Sequence, residues 1–485
     1  MKKIILSTLL LTILFSCKKE TMENSQSTTL NFSNDTVIFD TAFYSIGTPT
    51  QTLTVYNQNN FNVLTDISLN LISSGSFRMN VDGVSGNNHT AVEILANDSI
   101  FIFLEVTPNQ NTNNDFLLTS NIEFTTGGIK QDVKLVSPGR NANFHLPHDN
   151  IFIDGTDSIN FKYHSINSQE TWTNDLPHVV YGYVVIEPEA TLTIEEGTEI
   201  YFHNNSGVFV GNPILRNVDG TPPSNNGRLI INGSLGNEVA LQGDRLESWY
   251  ENIPGQWNGI HFLKGSQTST INYAIIKNGT TAIRSDSSDN SQIIINNTII
   301  KNMSAIGILG QTANISANNT VVSKCGQYSV ACNIGGTYNF THCTFANYWD
   351  YGGSRRTTPS ILINNYYEAV DGEIYSRNLE EVNFTNCIID GSLSTEISFQ
   401  ENNDKQFNYS FNHCLIKLDP TINTENMNYE NVIVNQSPKF ADNMESDFHL
   451  KEDSPAINAG IGPSDSDIEG NSRKNPDIGA YEFME

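Results

Sequence analysis

The sequence predicts an all-β chain in which a β-sandwich precedes a longer solenoid of stacked β coils. Three observations carry this reading. A short phrase returns between Ile271 and Leu415 as INYAIIKNG (271–279), IINNTIIKN (294–302), SANNTVVSK (316–324), FTHCTFAN (340–347), FTNCIIDG (384–391) and FNHCLIK (411–417). Its equivalent positions form a column, Ala274, Thr298, Thr320, Cys343, Cys387 and Cys414, with steps of 24, 22, 23, 44 and 27 residues. A second phrase keeps step with it at Ile260, Ile283, Ile308, Val330, Ile361 and Ile397. Regular returns of this length, with β-branched residues at each, mark a solenoid whose repeats stack on one another. The third observation is a block of short strand-like runs ahead of the repeats, separated by turn residues.

Composition agrees with β structure and excludes one class of partner. Charged residues make up 16% of the 485, below the roughly 25% of ordinary soluble proteins. Asn, Thr and Ser supply the polarity instead, and these suit turns and pleated surfaces. A net charge of −27 argues against a nucleic acid partner, which needs clustered Lys and Arg.

Taken in order, residues 1–16 are a targeting segment. Lys2 and Lys3 precede an apolar run, Ile4 to Phe15, too short to span a bilayer comfortably. The run ends at Leu14-Phe15-Ser16-Cys17, which resembles a bacterial lipobox, with Phe15 bulkier than such boxes usually carry. The resemblance implies cleavage before Cys17, acylation there and attachment to the outer membrane; several acyl chains give a stable anchor. An ordinary secretory signal with an incidental cysteine is the alternative. Residues 17–29 read as a polar tether. Lys18-Lys19-Glu20 loosely resembles the surface-export signals of Bacteroidetes lipoproteins, which implies exposure at the cell surface rather than at the periplasmic face.

Residues 30–140 hold eight runs: VIFDTAF (37–43), QTLTVYN (51–57), DISLNLI (66–72), SFRMNVD (76–82), AVEIL (91–95), DSIFIFLEVT (98–107), SNIEFTT (120–126) and KQDVKLVS (130–137). Strict alternation in Ser99 to Glu105 sets Ile100, Ile102 and Leu104 on one face. Their spacing favours an immunoglobulin-like sandwich, ended by Pro138-Gly139-Arg140. Its phrasing also resembles the N-terminal sandwich of Bacteroidetes surface lipoproteins that carry β-helix repeats, which implies a spacer role.

Residues 141–180 read as a transition or N-terminal cap, residues 181–450 as the solenoid, and 451–485 as a C-terminal cap. GYVVIEPEATLTIEEGTEIYF (182–202), RLIINGSLGNEVALQG (228–243), SPAINAG (454–460) and NPDIGAYEF (475–483) closely resemble right-handed parallel β-helix proteins of the pectin-lyase-like shape. That implies coils of about three strands, with each residue stacked on its equivalent in the next coil roughly 4.8 Å away. Shape does not transmit activity.

Stacking gives the repeated residues structural work. Ile276, Ile300, Val322, Phe345 and Ile389 should line the core. Asn297, Asn319 and Asn386, with His342 and His413 in the same register, should form a ladder at a coil corner. No third ligand accompanies the two histidines at metal-site spacing, so no metal and no cofactor is assigned. Cys343, Cys387 and Cys414 should be stacked free thiols, since parallel side chains make poor disulfides; Cys325 and Cys332, seven apart around a turn, could bridge.

Spacing also locates the insertions, at 212–226, 244–255, 348–356 and 366–378. The second and third should leave from one corner and the other two from the opposite one. Loops collected on an edge are where solenoids place binding surfaces. Trp249, Tyr250, Trp349, Tyr351, Tyr366, Tyr367 and Tyr375 offer flat faces for sugar rings, and Arg355, Arg356 and Arg377 could pair with acidic groups. Aromatics that merely pin the loops to the flank are the plainer alternative. The closest set for a polysaccharide lyase is Arg355, Arg356, Glu368, Asp371, Glu373 and Arg377, all in insertions, and no paired-carboxylate phrase of a hydrolase occurs in the coils. Asp465, Asp467 and Glu469 only superficially resemble a Ca²⁺ loop. The expectation is a surface lipoprotein with a noncatalytic glycan-binding, adhesive or envelope-structural β-helix. The alternative is a lyase or glycoside hydrolase acting on an acidic polysaccharide.

Overall fold

The computed structural model describes residues 28–39, 42–43, 47–71, 75–108, 117–152, 160–215, 221–246, 248–287, 291–353, 355–462 and 466–484. Cys17 and the signal-like segment lie outside them. The chain divides into two compact units, residues 1–142 and 143–485.

The first unit is a sandwich of two sheets. One runs Asn31–Phe32, Gln51–Asn57, Asp98–Pro108, Gly75–Val81, Val84–Ser85 in spatial order; the other runs Thr36–Ile38, Ile129–Arg140, Leu117–Thr126, Val63–Leu71, Asn88–Ile94. Pairing is antiparallel except where Thr36–Ile38 and Ala42–Phe43 lie parallel to Ile129–Arg140. Alternation does what the sequence predicts: Ile100, Ile102 and Leu104 are buried while Phe101 and Phe103 face out. Leu53, Phe77 and Ile102 of one sheet meet Ile67, Phe124 and Leu135 of the other in a single core. Pro138-Gly139-Arg140 are the final three residues of the last strand, two residues before the unit closes at Ala142. Pro138 stands opposite Leu117, the last described pair with that strand, and Gly139 and Arg140 pair with Ala42 and Phe43.

The second unit is a parallel β-helix with three strand columns per coil. The first column includes Tyr-bearing Glu199–Phe202, then Val239–Gly243, Ala274–Lys277, Ile299–Met303, Val321–Cys325, Thr344–Asn347 and Ile388–Gly391. The second includes Gly207–Val210, Ile260–Phe262, Thr281–Asp286 and Ile361–Asn364; the third includes Arg228–Asn232, Ser269–Asn272, Ile293–Asn296 and Leu379–Thr385. Registers reproduce the sequence columns: Ile260 pairs with Ile283, Ile283 with Ile308, Ile308 with Val330, Val330 with Ile361, and Ile361 with Ile397. Coils begin earlier than position 181. Asn143–His145 pairs in parallel with His178–Val180, and Asn160–Ile166 with Tyr183–Ile186.

The repeated phrase encodes the corner between third and first columns. Each coil turns there on one residue in the left-handed region: Asn297 (φ 49°), Asn319 (46°), His342 (49°), Asn386 (53°) and His413 (49°). Asn and His tolerate that conformation better than most side chains. The following Thr or Cys is buried, and its hydroxyl or thiol donates to the carbonyl two residues back. The distances are 2.8 Å for Thr298, 3.0 Å for Thr320, 3.3 Å for Cys343, 3.2 Å for Cys387 and 3.3 Å for Cys414. A small donor is what the position requires, which is why Thr and Cys interchange. The five described cysteines, Cys325 and Cys332 included, are free and buried.

The C-terminal segment is laid along the flank of the solenoid. Phe440, Phe448, Leu450, Ile468, Ile478 and Ala480 pack on the outer faces of Val321, Ala346, Ile388 and Leu415, all in the first column. Docking is fixed by hydrogen bonds from Ala480 N to Thr344 Oγ1, Gly479 N to Asn386 O and Ile461 N to Asn386 Oδ1. Asp467 accepts from Glu469 N, Asn471 N, Asn471 Nδ2 and Glu482 N. Its carboxylate is thus occupied in shaping the docked segment; Asp465 lies outside the described residues.

Candidate functional site

The four insertions leave from two different corners. Residues 244–255 and 348–356 connect the first column to the second, whereas 212–226 and 366–378 connect the second to the third. The ten candidate sugar-binding residues therefore divide into two surfaces, and the lyase set of Arg355, Arg356, Glu368, Asp371, Glu373 and Arg377 is split between them.

One of the ten leaves the surface altogether. Arg356 is 4% exposed, and its Nη2 donates to Glu396 Oε1 at 2.6 Å and to Asn347 O at 2.8 Å. Glu396 also accepts from Ser360 N and Leu393 N. The pair closes the base of the 348–360 excursion, so Arg356 is not available to a ligand. The adjacent Arg355 is exposed.

At the second-to-third corner the excursion forms a small hairpin, Tyr366–Glu368 against Ile374–Ser376. Tyr367 and Tyr375 are paired across it and stack, with ring centres 5.1 Å apart. They are 44% and 46% exposed and border an open groove with Asp286, Gln311, Thr312 and Arg377. Its charges are largely spent locally. Asp286 accepts from His261 Nε2 (2.7 Å) and Arg284 Nε (3.0 Å), and Tyr375 donates to Glu373.

At the first-to-second corner, Asn252 and Pro254 of one excursion meet Trp349, Asp350 and Tyr351 of the other across a pocket of about 390 Å³. Its floor is the strand column itself, through Lys301, Asn302 and Lys324, and Met444 to Ser446 of the docked C-terminal segment form a further wall. The corner is set by left-handed Asn278 (φ 66°), Asn302 (57°) and Lys324 (47°). Asn302 Nδ2 donates to Asn278 Oδ1 (3.3 Å) and to Asn252 Oδ1 (3.1 Å), and Asn278 Nδ2 donates to Glu251 O (2.9 Å). The corner ladder thereby clamps the 244–255 excursion in place. Trp349 and Tyr351 meet edge to face, 6.0 Å between centres. Trp249, 59% exposed, stands outside the pocket, and Tyr250 lies under the Arg245 guanidinium at 3.8 Å.

Electrostatics separates this pocket from its surroundings. Lys277 and Lys301 are direct partners in the parallel ladder; on the next coil Ser323 is the partner of Lys301, and Lys324 lies one residue beyond it. Like charges facing each other across strands are destabilising. Burial lowers the Lys301 ammonium pKa from its usual value, the Lys277 and Lys324 charges lower it further, and Glu251 opposes them. Lys324 has a loose contact with Asp350, 3.8 Å. Lys301 and Lys324, on successive coils, line the pocket together with the carboxylates Asp350 and Glu445. The signal was present in the repeat, as the lysines of AIIK, TIIK and VVSK. Reading those phrases for core and corner residues passes over them.

No known family model matches the chain, and no curated protein matches it in sequence. Among solved structures it is similar to pectate lyase Pel9A, with 13% identity over 72% of this chain and 88% of that one and a TM-score of 0.33. It is also similar to the catalytic domain of a GH87 α-1,3-glucanase in complex with nigerose, with 11% identity over 80% and 88% of the two chains and a TM-score of 0.29. The ASH/PapD-like domain of human CEP192 aligns with 27% of this chain and 97% of its own, at 11% identity and a TM-score of 0.19. Superpositions this loose transfer no residue roles.

Proposed function

We propose that this is a surface-anchored, noncatalytic β-helix protein that binds an acidic polysaccharide at the corner between the first and second strand columns. The observation that carries it is the Lys301–Lys324 floor beneath Trp349 and Tyr351. Aromatic faces suit the apolar faces of sugar rings, and ammonium groups suit uronate or sulfate substituents. Of the two carboxylates in the lining, Asp350 faces Lys324 at 3.8 Å, and Glu445 stands on the wall formed by the C-terminal segment.

Titration with a galacturonate oligomer and with its carboxyl-reduced, neutral counterpart tests the reading. Binding should favour the acidic oligomer and weaken with salt. Lys301→Gln and Lys324→Gln should each lower affinity about 10-fold or more, as expected for a hydrogen bond to a charged group of roughly 1.5–3 kcal/mol. Equal affinity for both oligomers, or lysine variants that bind as the parent does, would sink the proposal. Release of reducing ends or unsaturated uronates, lost in the same variants, would replace it with the enzymatic alternative.

Anchoring rests on the lipobox-like Leu14-Phe15-Ser16-Cys17. Cells expressing the full chain should incorporate labelled fatty acid into it, and Cys17→Ser should abolish the label and release the protein from the outer membrane. Retention of both in the variant would leave an ordinary secretory signal as the better reading.

A further inference from the structure

The first coil gathers a set of imidazoles that the glycan-binding reading does not use. His145 comes from the first column, His164 from the second, Glu170 and Trp172 from the third, and His178 from the first column one coil on. His145 and Trp172 are buried and their rings stack at 4.1 Å; Trp172 also stacks on His178 at 4.6 Å.

Three donor atoms of this set, one each from His145, His164 and Glu170, lie within 4.8 Å of one another. His145 Nδ1 and His164 Nε2 are 3.4 Å apart. Metal–nitrogen bonds of about 2.0–2.1 Å place adjacent tetrahedral ligand atoms roughly 3.4 Å apart. The two imidazoles therefore already stand at the edge length of a zinc tetrahedron.

Hydrogen bonds around the set present the needed lone pairs. The Thr173 carbonyl can only accept, so His178 Nε2, 3.1 Å away, carries a hydrogen. Neutral His178 then has a bare Nδ1, and His145 Nε2 donates to it at 2.9 Å. Neutral His145 in turn has a bare Nδ1, the atom that faces His164. Glu170 is oriented by a hydrogen bond from Trp172 Nε1 at 2.8 Å. Two of the three ligands thus already have the outer partners that metal-bound imidazoles and carboxylates characteristically have.

We propose that His145, His164 and Glu170 bind a first-row divalent transition-metal ion, such as Zn²⁺, with water in the fourth position. Two nitrogens and one carboxylate suit such an ion rather than Ca²⁺ or Mg²⁺, which favour all-oxygen sites. Because the ligands come from all three columns, the ion would fasten the first coil shut. A terminal coil lacks a preceding coil to pair with, so this is where a fastening adds most.

The full chain, stripped with chelator and titrated with Zn²⁺ and, separately, with Co²⁺, tests this. The expected result is one tight site per chain and the intense visible absorption of four-coordinate Co²⁺. His164→Gln and Glu170→Gln should each remove that site; the glutamine at 170 retains an acceptor for Trp172, so the fold is kept. His178→Ala should weaken binding by roughly 10–100-fold, as loss of an outer partner does. Circular dichroism confirms that each variant is folded before titration. No tight site in the parent chain, or the same site in folded His164→Gln and Glu170→Gln proteins, would overturn the assignment.

Discussion

Arg356 and Glu396 are both fully buried, with side chains 0% exposed, and each is surrounded by partners that depend on its charge. Removing one member of such a pair leaves the other charge buried and typically costs about 3–5 kcal/mol, while replacing both with apolar groups can be nearly neutral. Arg356→Met should therefore lower stability by that amount, and Arg356→Met with Glu396→Leu should recover much of it. Urea denaturation of the three proteins checks this; a single variant as stable as the parent would show that the pair contributes nothing. In sequence, Arg355 and Arg356 are indistinguishable neighbours in a polar loop. Burial separates them, and burial is decided by Glu396, forty residues away. The corner residues were more legible. Asn297, Asn319 and Asn386 recur at the spacing of the coil, and His342 shares their register because Asn386 Nδ2 donates to its Nε2 at 2.9 Å. Burial, with the charge of Arg473, moves the His342 pKa down to about 3. It stands in the ladder as a neutral imidazole.

Among the elements, the segment 440–484 contributes most beyond its own length. Its apolar residues cover the outward face of first-column strand on four coils, where Val321, Ala346, Ile388 and Leu415 would otherwise meet water. Arg473 ties it down: Nη1 pairs with Glu482, and Nη2 donates to Asn319 Oδ1 (3.2 Å) and Gly479 O (2.9 Å). A chain truncated after Asn435 should expose a continuous apolar strip, and strips of this kind drive association. Sedimentation of the truncated chain should show aggregation, and its acidic-glycan affinity should fall because Met444–Ser446 leave the pocket wall. A soluble, monomeric truncation with a cooperative melt would refute the covering role. SPAINAG and NPDIGAYEF are readable as a distinct ending. That the ending lies along the flank is not readable, because its contacts lie up to 154 residues back in the chain.

For the whole molecule, the sequence by itself determined the architecture of the repeats. Parallel stacking forces equivalent residues into one column, so every coil must solve the same corner and the same core with the same few side chains. That repetition is visible as Ile260 to Ile397 and as the Thr and Cys column, and the registers follow it residue for residue. The strand alternation of the sandwich was legible for a similar reason, since one buried face imposes a period of two. What only the tertiary structure decided lies where the repetition stops. Insertions carry no period, so the sequence could not tell which of their ten candidate residues share a surface or that Arg356 turns inward. Lys301 and Lys324 become a pocket floor only when two excursions and the C-terminal segment are laid over them. His145, His164 and Glu170 sit in the first coil, before the repeat is established. Their donor atoms meet because three strand columns close around a single turn of chain, a closure that no local pattern records.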